Sequence, residues 1–244
     1  MFVMYRFILL FCLLCSINQL SAQERTASAS TNFWYMLNSK KAVKLGLPNL
    51  SDDDNIRSSR WSYNGQTISY ALDLYQSSDS LLQGVVTIYT EENVDVSKEK
   101  PTYRVYYSRI RLTPDQVEKL NYHMQTSGIM KLPTDSLIKG WTKGFDGVTY
   151  CLEYKNDELH TFKSFWSPQA QSTILEGELV QSFAEYVEVV IDLNTIQKEF
   201  VEQIPFESYS TGGPSIAIRI LNKAQRHYYK KERDKYRKQQ AGKF

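Results

Sequence analysis

The chain has 244 residues, 29 lysines and arginines against 27 acidic residues, and three cysteines. That length admits one large domain, or a domain with an appendage, and a core sizeable enough to hold without covalent staples. Two of the cysteines fall within the first fifteen residues, so a disulfide scaffold is excluded once that segment is removed.

The N-terminus predicts export. Arg6 precedes an apolar run over residues 7–14, and Leu20-Ser21-Ala22 places a small residue before a cleavage point ahead of Gln23, the pattern of a secretory signal peptide over residues 1–22. The run falls short of the roughly 20 residues that span a bilayer. Cys15 follows Leu14 rather than the small residue that a lipoprotein signal needs, so a free, periplasmic or secreted mature chain is expected, with Cys151 its one thiol. Residues 23–32, rich in Ser, Thr and Ala, read as a disordered lead.

Residues 51–65, with Asp52-Asp53-Asp54, polar residues around Trp61 and a closing Asn64-Gly65, read as loop. Three antiparallel strands follow. In residues 67–75, Ile68, Tyr70, Leu72 and Leu74 alternate with polar positions, and residues 81–90 and 102–112 are rich in β-branched and aromatic side chains. Thr113-Pro114-Asp115-Gln116 then combines an N-cap hydroxyl, a first-turn proline and a glutamine able to reach back. The helix it opens carries Val117, Leu120 and Met124 on one stripe and stops at Gly128.

Residues 148–154 and 159–166 flank Asn156-Asp157 and predict a β-hairpin. A two-residue loop pairs Tyr154 with Leu159, Val148 with Phe165, Glu153 with His160 and Cys151 with Phe162. Val148, Tyr150, Leu152, Tyr154, Leu159 and Phe165 then form one apolar face for the helix stripe to cover. Ile174, Leu175, Leu179, Phe183, Val187 and Val190 space a second amphipathic helix, and residues 194–203 a short third ended by Pro205. Ser210-Thr211-Gly212-Gly213-Pro214 reads as a linker. The division is an α+β domain over residues 33–209, an antiparallel sheet with helices packed on one face, followed by a C-terminal basic helix over 214–244 whose apolar stripe is Ile216, Ile220 and Ala224.

Three constellations bear on function. Cys151 and His160 fall on a cross-strand diagonal beside Glu153, about 7–8 Å apart, the outline of a Cys-His-Glu hydrolase site. The bland counterpart is a Glu-His pair on a half-solvated face. Trp61, Trp141 and Trp166 sit in or beside predicted loops, where rings stack on sugars or on a protein. The tail from residue 223 carries nine basic against two acidic residues, +7, whereas residues 24–222 hold 19 basic and 25 acidic, −6. Lys230, Lys231, Arg233, Lys235, Arg237 and Lys238 therefore offer contact with an anionic surface; nucleic acid is not expected of an exported chain. His123, His160 and His227 are too far apart in sequence for a zinc motif, the three aspartates lack the glycine and terminal glutamate of a calcium loop, and no cofactor-binding motif is present. The export signal and the helix-hairpin-helix order resemble those of uncharacterised secreted proteins of Bacteroidota-type bacteria, a resemblance that implies nothing about activity. The leading expectation is an exported, non-enzymatic protein that binds a protein or cell-surface partner, with a glycan-binding module and a Cys-dependent hydrolase as alternatives.

Overall fold

A computed structural model describes residues 32–52, 55, 57–77, 80–93, 104–212 and 215–241. The signal segment, nearly all of the lead, and Asp53 and Asp54 lie outside the described residues. The helices are α1 (Phe33–Leu45), α2 (Pro114–Thr126), α3 (Leu175–Val190), α4 (Leu193–Gln203) and α5 (Lys223–Ala241). The strands are β1 (Arg57–Asn64), β2 (Ser69–Gln76), β3 (Gln83–Glu92), β4 (Val105–Arg111), β5 (Thr149–Asn156), β6 (His160–Trp166), β7 (Ser208–Ser210) and β8 (Ala217–Ile218). All eight strands join one antiparallel sheet in the order β6-β5-β1-β2-β3-β7-β8, with β4 also on β3. This is the expected α+β class.

The alternation of β1, β2, β3 and β5 sorts the sheet into two unlike faces. On the first, Trp61, Leu72, Val86, Ile88 and Leu152 meet α2 and α3. Trp61 stacks on Tyr150 at 5.2 Å and takes the edge of Phe183 from α3 at 4.8 Å, so α3 lies over the apolar face of the β5–β6 hairpin. The stripe Val117, Leu120 and Met124 is buried in the same core, but α2 packs on β3 and α3. It approaches β3 closely because position 84 is glycine; a Cβ there would sit 2.9 Å from side-chain carbons of both Val117 and Leu112. The cap of α2 forms as expected. Gln116 N–H donates to Thr113 Oγ1 at 3.3 Å and Thr113 N–H to Gln116 Oε1 at 3.0 Å, and Gly128 adopts φ +90° to end the turn.

The second face corrects the sequence reading most. Residues 57–64 form β1, the strand between β2 and β5, rather than loop. The segment Arg-Ser-Ser-Arg-Trp-Ser-Tyr-Asn is poor in strand formers, and pairing on both edges outweighs that preference. Its even-numbered positions face α1, which lies across this side of the sheet. Arg109 on β4 fastens the end of α1, donating from Nη2 to Gly46 O at 3.0 Å and also to Leu45 O; a guanidinium on the last carbonyls of a helix also complements its dipole.

The C-terminal reading also changes. Ser210-Thr211-Gly212-Gly213-Pro214 connects two strands of the sheet, since β7 pairs with β3 and β8 with β7; residues 213 and 214 lie outside the described residues. Ala217 and Ile218 are strand, and Ile216, Ile218 and Ile220 are 51, 82 and 91 % exposed. Ala224 is exposed as well. Ile216, Ile218 and Ile220 point outward because this segment follows the two-residue period of a strand, which turns Ala217, Arg219 and Leu221 inward instead.

Candidate functional site

The β5–β6 register differs from expectation by two residues. Glu153 pairs with Phe162, Cys151 with Ser164 and Lys155 with His160, because residues 156–159 form a four-residue turn. Asn156 Oδ1 accepts from the amides of Glu158 at 3.1 Å and Leu159 at 2.7 Å. A shift of two preserves the faces, so Tyr150, Leu152 and Phe165 are buried as expected, Val148 and Tyr154 are half-buried, and Leu159 is exposed at the turn. The shift moves Glu153 from directly opposite His160 to a diagonal, and the two still meet, with Oε1 2.9 Å from Nε2. It also puts four residues of strand, about 13 Å, between the position of Cys151 and the one opposite His160. The Cys-His-Glu constellation is therefore not assembled.

Cys151 belongs to the seam under α1. Its Sγ accepts from Asn38 Nδ2 at 3.4 Å and Asn64 Nδ2 at 3.7 Å, and burial pushes the thiol well above its usual range. A nucleophilic thiol needs the opposite environment. Beside it Lys41 donates to Asn64 Oδ1 at 3.3 Å, with its ammonium pKa lowered by burial. Arg60 Nε and Asp73 Oδ1 form a 2.6 Å ion pair between directly opposed strand positions. Burial raises the Asp73 carboxyl and Arg60 opposes that rise. The charged groups of this polar interface meet partners, which is how a charged side chain persists without solvent, whereas the buried Thr87 hydroxyl has none.

The three tryptophans do not share a platform. Trp61 is wholly buried on the apolar face, so it cannot stack on a ligand; the strand it sits in was read as loop. Trp141 is half-buried and donates from Nε1 to Trp166 O at 2.9 Å. The Trp166 ring covers Gly144 and Gly147. Of the histidines, His123 stacks between Phe183 and Tyr186 with its pKa lowered by burial, His160 is on β6 and His227 on α5. Among the described residues no group of three His, Cys, Asp or Glu side chains could hold a metal ion.

Among the described residues of the basic helix, the buried one is Tyr229. It donates its hydroxyl to Glu92 Oε1. Glu92 also holds Arg104 at 2.6 and 3.1 Å, and the Arg104 guanidinium lies 5.1 Å from the Phe206 ring and 5.0 Å from that of Tyr229. Burial, and then the Glu92 hydrogen bond, push the Tyr229 hydroxyl up to about 12. Arg219 ties the approach to α5 to the end of α4, donating to the carbonyls of Val201, Glu202 and Ile204 at 2.8–3.0 Å. Of the cations singled out by sequence, Lys230, Lys231, Lys235 and Lys238 are exposed. Arg233 turns towards the Tyr229 ring at 5.6 Å, and the Arg237 side chain lies outside the described residues.

Sequence reasoning missed a second feature, a cavity of about 360 Å³ where the β1–β2 turn meets the junction of α3 and α4. Glu188 sits in its wall, accepting on Oε1 from the Tyr150 hydroxyl at 3.3 Å and the Tyr70 hydroxyl at 3.5 Å. Burial raises the Glu188 carboxyl, the two tyrosine hydrogen bonds oppose that rise and Glu185 adds to it. One signal for the site was present: Glu188 interrupts the apolar run Val187 to Val190.

No family model matches the chain, and no curated protein matches its sequence.

Proposed function

We propose that the protein is an exported, non-catalytic module that binds peripherally to an anionic lipid surface through the isoleucine row 216, 218, 220 and the lysines of α5. The observation that carries this reading is the exposure of three isoleucines, 51, 82 and 91 %, directly ahead of a basic helix anchored through Tyr229. An apolar row beside cations is the composition of an interfacial membrane contact. Full burial of an isoleucine contributes at most about 1.5–3 kcal/mol, and each lysine near an anionic surface adds about 1 kcal/mol. Together they suffice for reversible adhesion. An acidic protein surface would satisfy the lysines but leave the isoleucines without a role. Among the described residues no helix is long and apolar enough to cross a membrane, so the contact is from one side.

The test is co-sedimentation of the chain lacking residues 1–22 with phosphatidylglycerol-containing vesicles and with phosphatidylcholine vesicles. Binding to the anionic vesicles alone, weakened by salt and reduced again by combined Ile216→Ser, Ile218→Ser and Ile220→Ser, is the expected result. Equal binding to both vesicle types, or anionic binding indifferent to the isoleucines, would overturn it.

A further inference from the structure

We propose that the cavity between the β1–β2 turn and the α3–α4 junction binds a small organic ammonium, its cationic head on Glu188 and its carbon body against Tyr63, Ile68, Val148 and Leu193. The argument begins with what surrounds the carboxylate. Glu188 is half-buried, and among the described residues no basic side chain forms an ion pair with it. Glu185, of like sign, also acts on it. Its direct partners are tyrosine hydroxyls, both on Oε1, so Oε2 is the oxygen available to a ligand. The tyrosines are themselves fixed: Tyr63 stacks on Tyr70 at 5.4 Å and tilts against Tyr150 at 5.2 Å. The carboxylate is thus oriented in advance, without a countercharge.

Charge decides the ligand class. A neutral polyol entering this cavity would remove water from Glu188 and return no compensating charge, and an anion would be repelled. An ammonium supplies both the charge and up to three N–H donors. Oε2 accepts one, and the side-chain amide oxygens of Gln66, Asn194 and Gln197, which also line the cavity, are suited to the others. The rest of the wall is mixed, but Tyr63, Ile68, Val148 and Leu193 offer carbon surface for a short alkyl or aryl body, and the volume is that of a small-molecule site. The raised Glu188 carboxyl fits the same picture, since a bound cation would reverse the effect of burial.

The experiment is isothermal titration of the chain lacking residues 1–22 with n-butylammonium chloride, with butan-1-ol as the neutral isostere and potassium chloride as the ionic control. Saturable binding of n-butylammonium, with butan-1-ol at least about tenfold weaker, is expected from the value of a hydrogen bond to a charged group. Glu188→Gln should weaken the ammonium about tenfold or more, and Glu185→Gln, on an exposed neighbouring position, less than about twofold. Leu193→Trp, which narrows the cavity without touching the carboxylate, should abolish binding while circular dichroism stays unchanged. Equal binding of butan-1-ol, unchanged affinity in folded Glu188→Gln, or no saturable binding of n-butylammonium would each overturn the proposal. This site and the lipid-facing surface share no residue, so either can fail alone.

Discussion

Under α2 and α3 the sheet presents Trp61, Leu72, Val86 and Phe165, none more than 1 % exposed; under α1 it presents Ser62, Ser69, Thr87 and Cys151, none more than 4 %. Both faces are closed to water, the first by ring and aliphatic packing, the second by small polar side chains interleaved with Arg60–Asp73, Glu153–His160 and Lys41–Asn64. The difference teaches that burial here is not a measure of hydrophobicity. The apolar face supplies the driving force for collapse. The polar face specifies where α1 must lie, because Asn38 and Lys41 reach Cys151 and Asn64 in one placement.

Breaking the polar face should have the largest effect. Asp73→Ala leaves Arg60 charged and buried without its partner, and a loss of about 3–5 kcal/mol is expected in denaturant unfolding. Replacing both, Arg60→Met with Asp73→Leu, should recover most of that loss. A single-variant loss under about 1 kcal/mol would mean that the seam is wet. On the apolar face Leu120→Ala, at a fully buried position, should cost about 2–5 kcal/mol by the same measurement, with no partial rescue from a second polar change.

The C-terminal helix sharpens the contrast, since Tyr229 combines both kinds of burial, its ring 5.0 Å from the Arg104 guanidinium and its hydroxyl on Glu92. Tyr229→Ala removes the hydroxyl that donates to Glu92 and should cost about 1–3 kcal/mol, whereas removing residues 231–244, among which Lys231, Asp234, Lys235 and Lys238 are exposed, should change stability by about 0.5 kcal/mol or less. Thermal unfolding of the two variants separates them. An earlier cut, deleting 229–244, would remove the anchor along with the charge.

The two faces also differ in how far they could be read from sequence. Alternation in residues 67–75 and the cap at Thr113 identified the apolar side and α2, because a hydrophobic period and a capping box are local signals. The strand β1 was invisible for the reason that makes it central. The pattern it turns towards α1 is serine, arginine and asparagine, which propensity assigns to loop, and the strands and helix that cover it come from residues 33–45, 69–76 and 149–156. The same error moved Trp61 from core to surface. In the hairpin the faces were legible and the register was not: parity survives a shift of two, but the distance from Cys151 to His160 does not. Ile216 and Ile220 keep a helical spacing of four, while with Ile218 they alternate as a strand does, and only the pairing of β8 with β7 decides between the two.

The smallest expected effect is at Glu188. Its carboxyl is raised in the folded state by burial, so the folded chain holds a proton more readily than the unfolded chain, and stability falls as pH rises through that window. Glu188→Gln should therefore raise the melting temperature slightly at pH 7, and the gain should vanish as pH is lowered below the ordinary glutamate range. A variant less stable than the parent at pH 7 would show that the tyrosine hydrogen bonds outweigh desolvation.

The account of function rests on the outward isoleucines, and depth is the most direct measure of them. A nitroxide placed through Ile218→Cys, with Cys151 too buried to react, can be compared with one at Val43→Cys on α1, 78 % exposed. With phosphatidylglycerol vesicles, the label at 218 should lose contact with a water-soluble nickel relaxant and gain contact with oxygen, while the label at 43 stays aqueous. A label at 218 that remains aqueous while the protein is vesicle-bound would contradict the proposed lipid-facing surface.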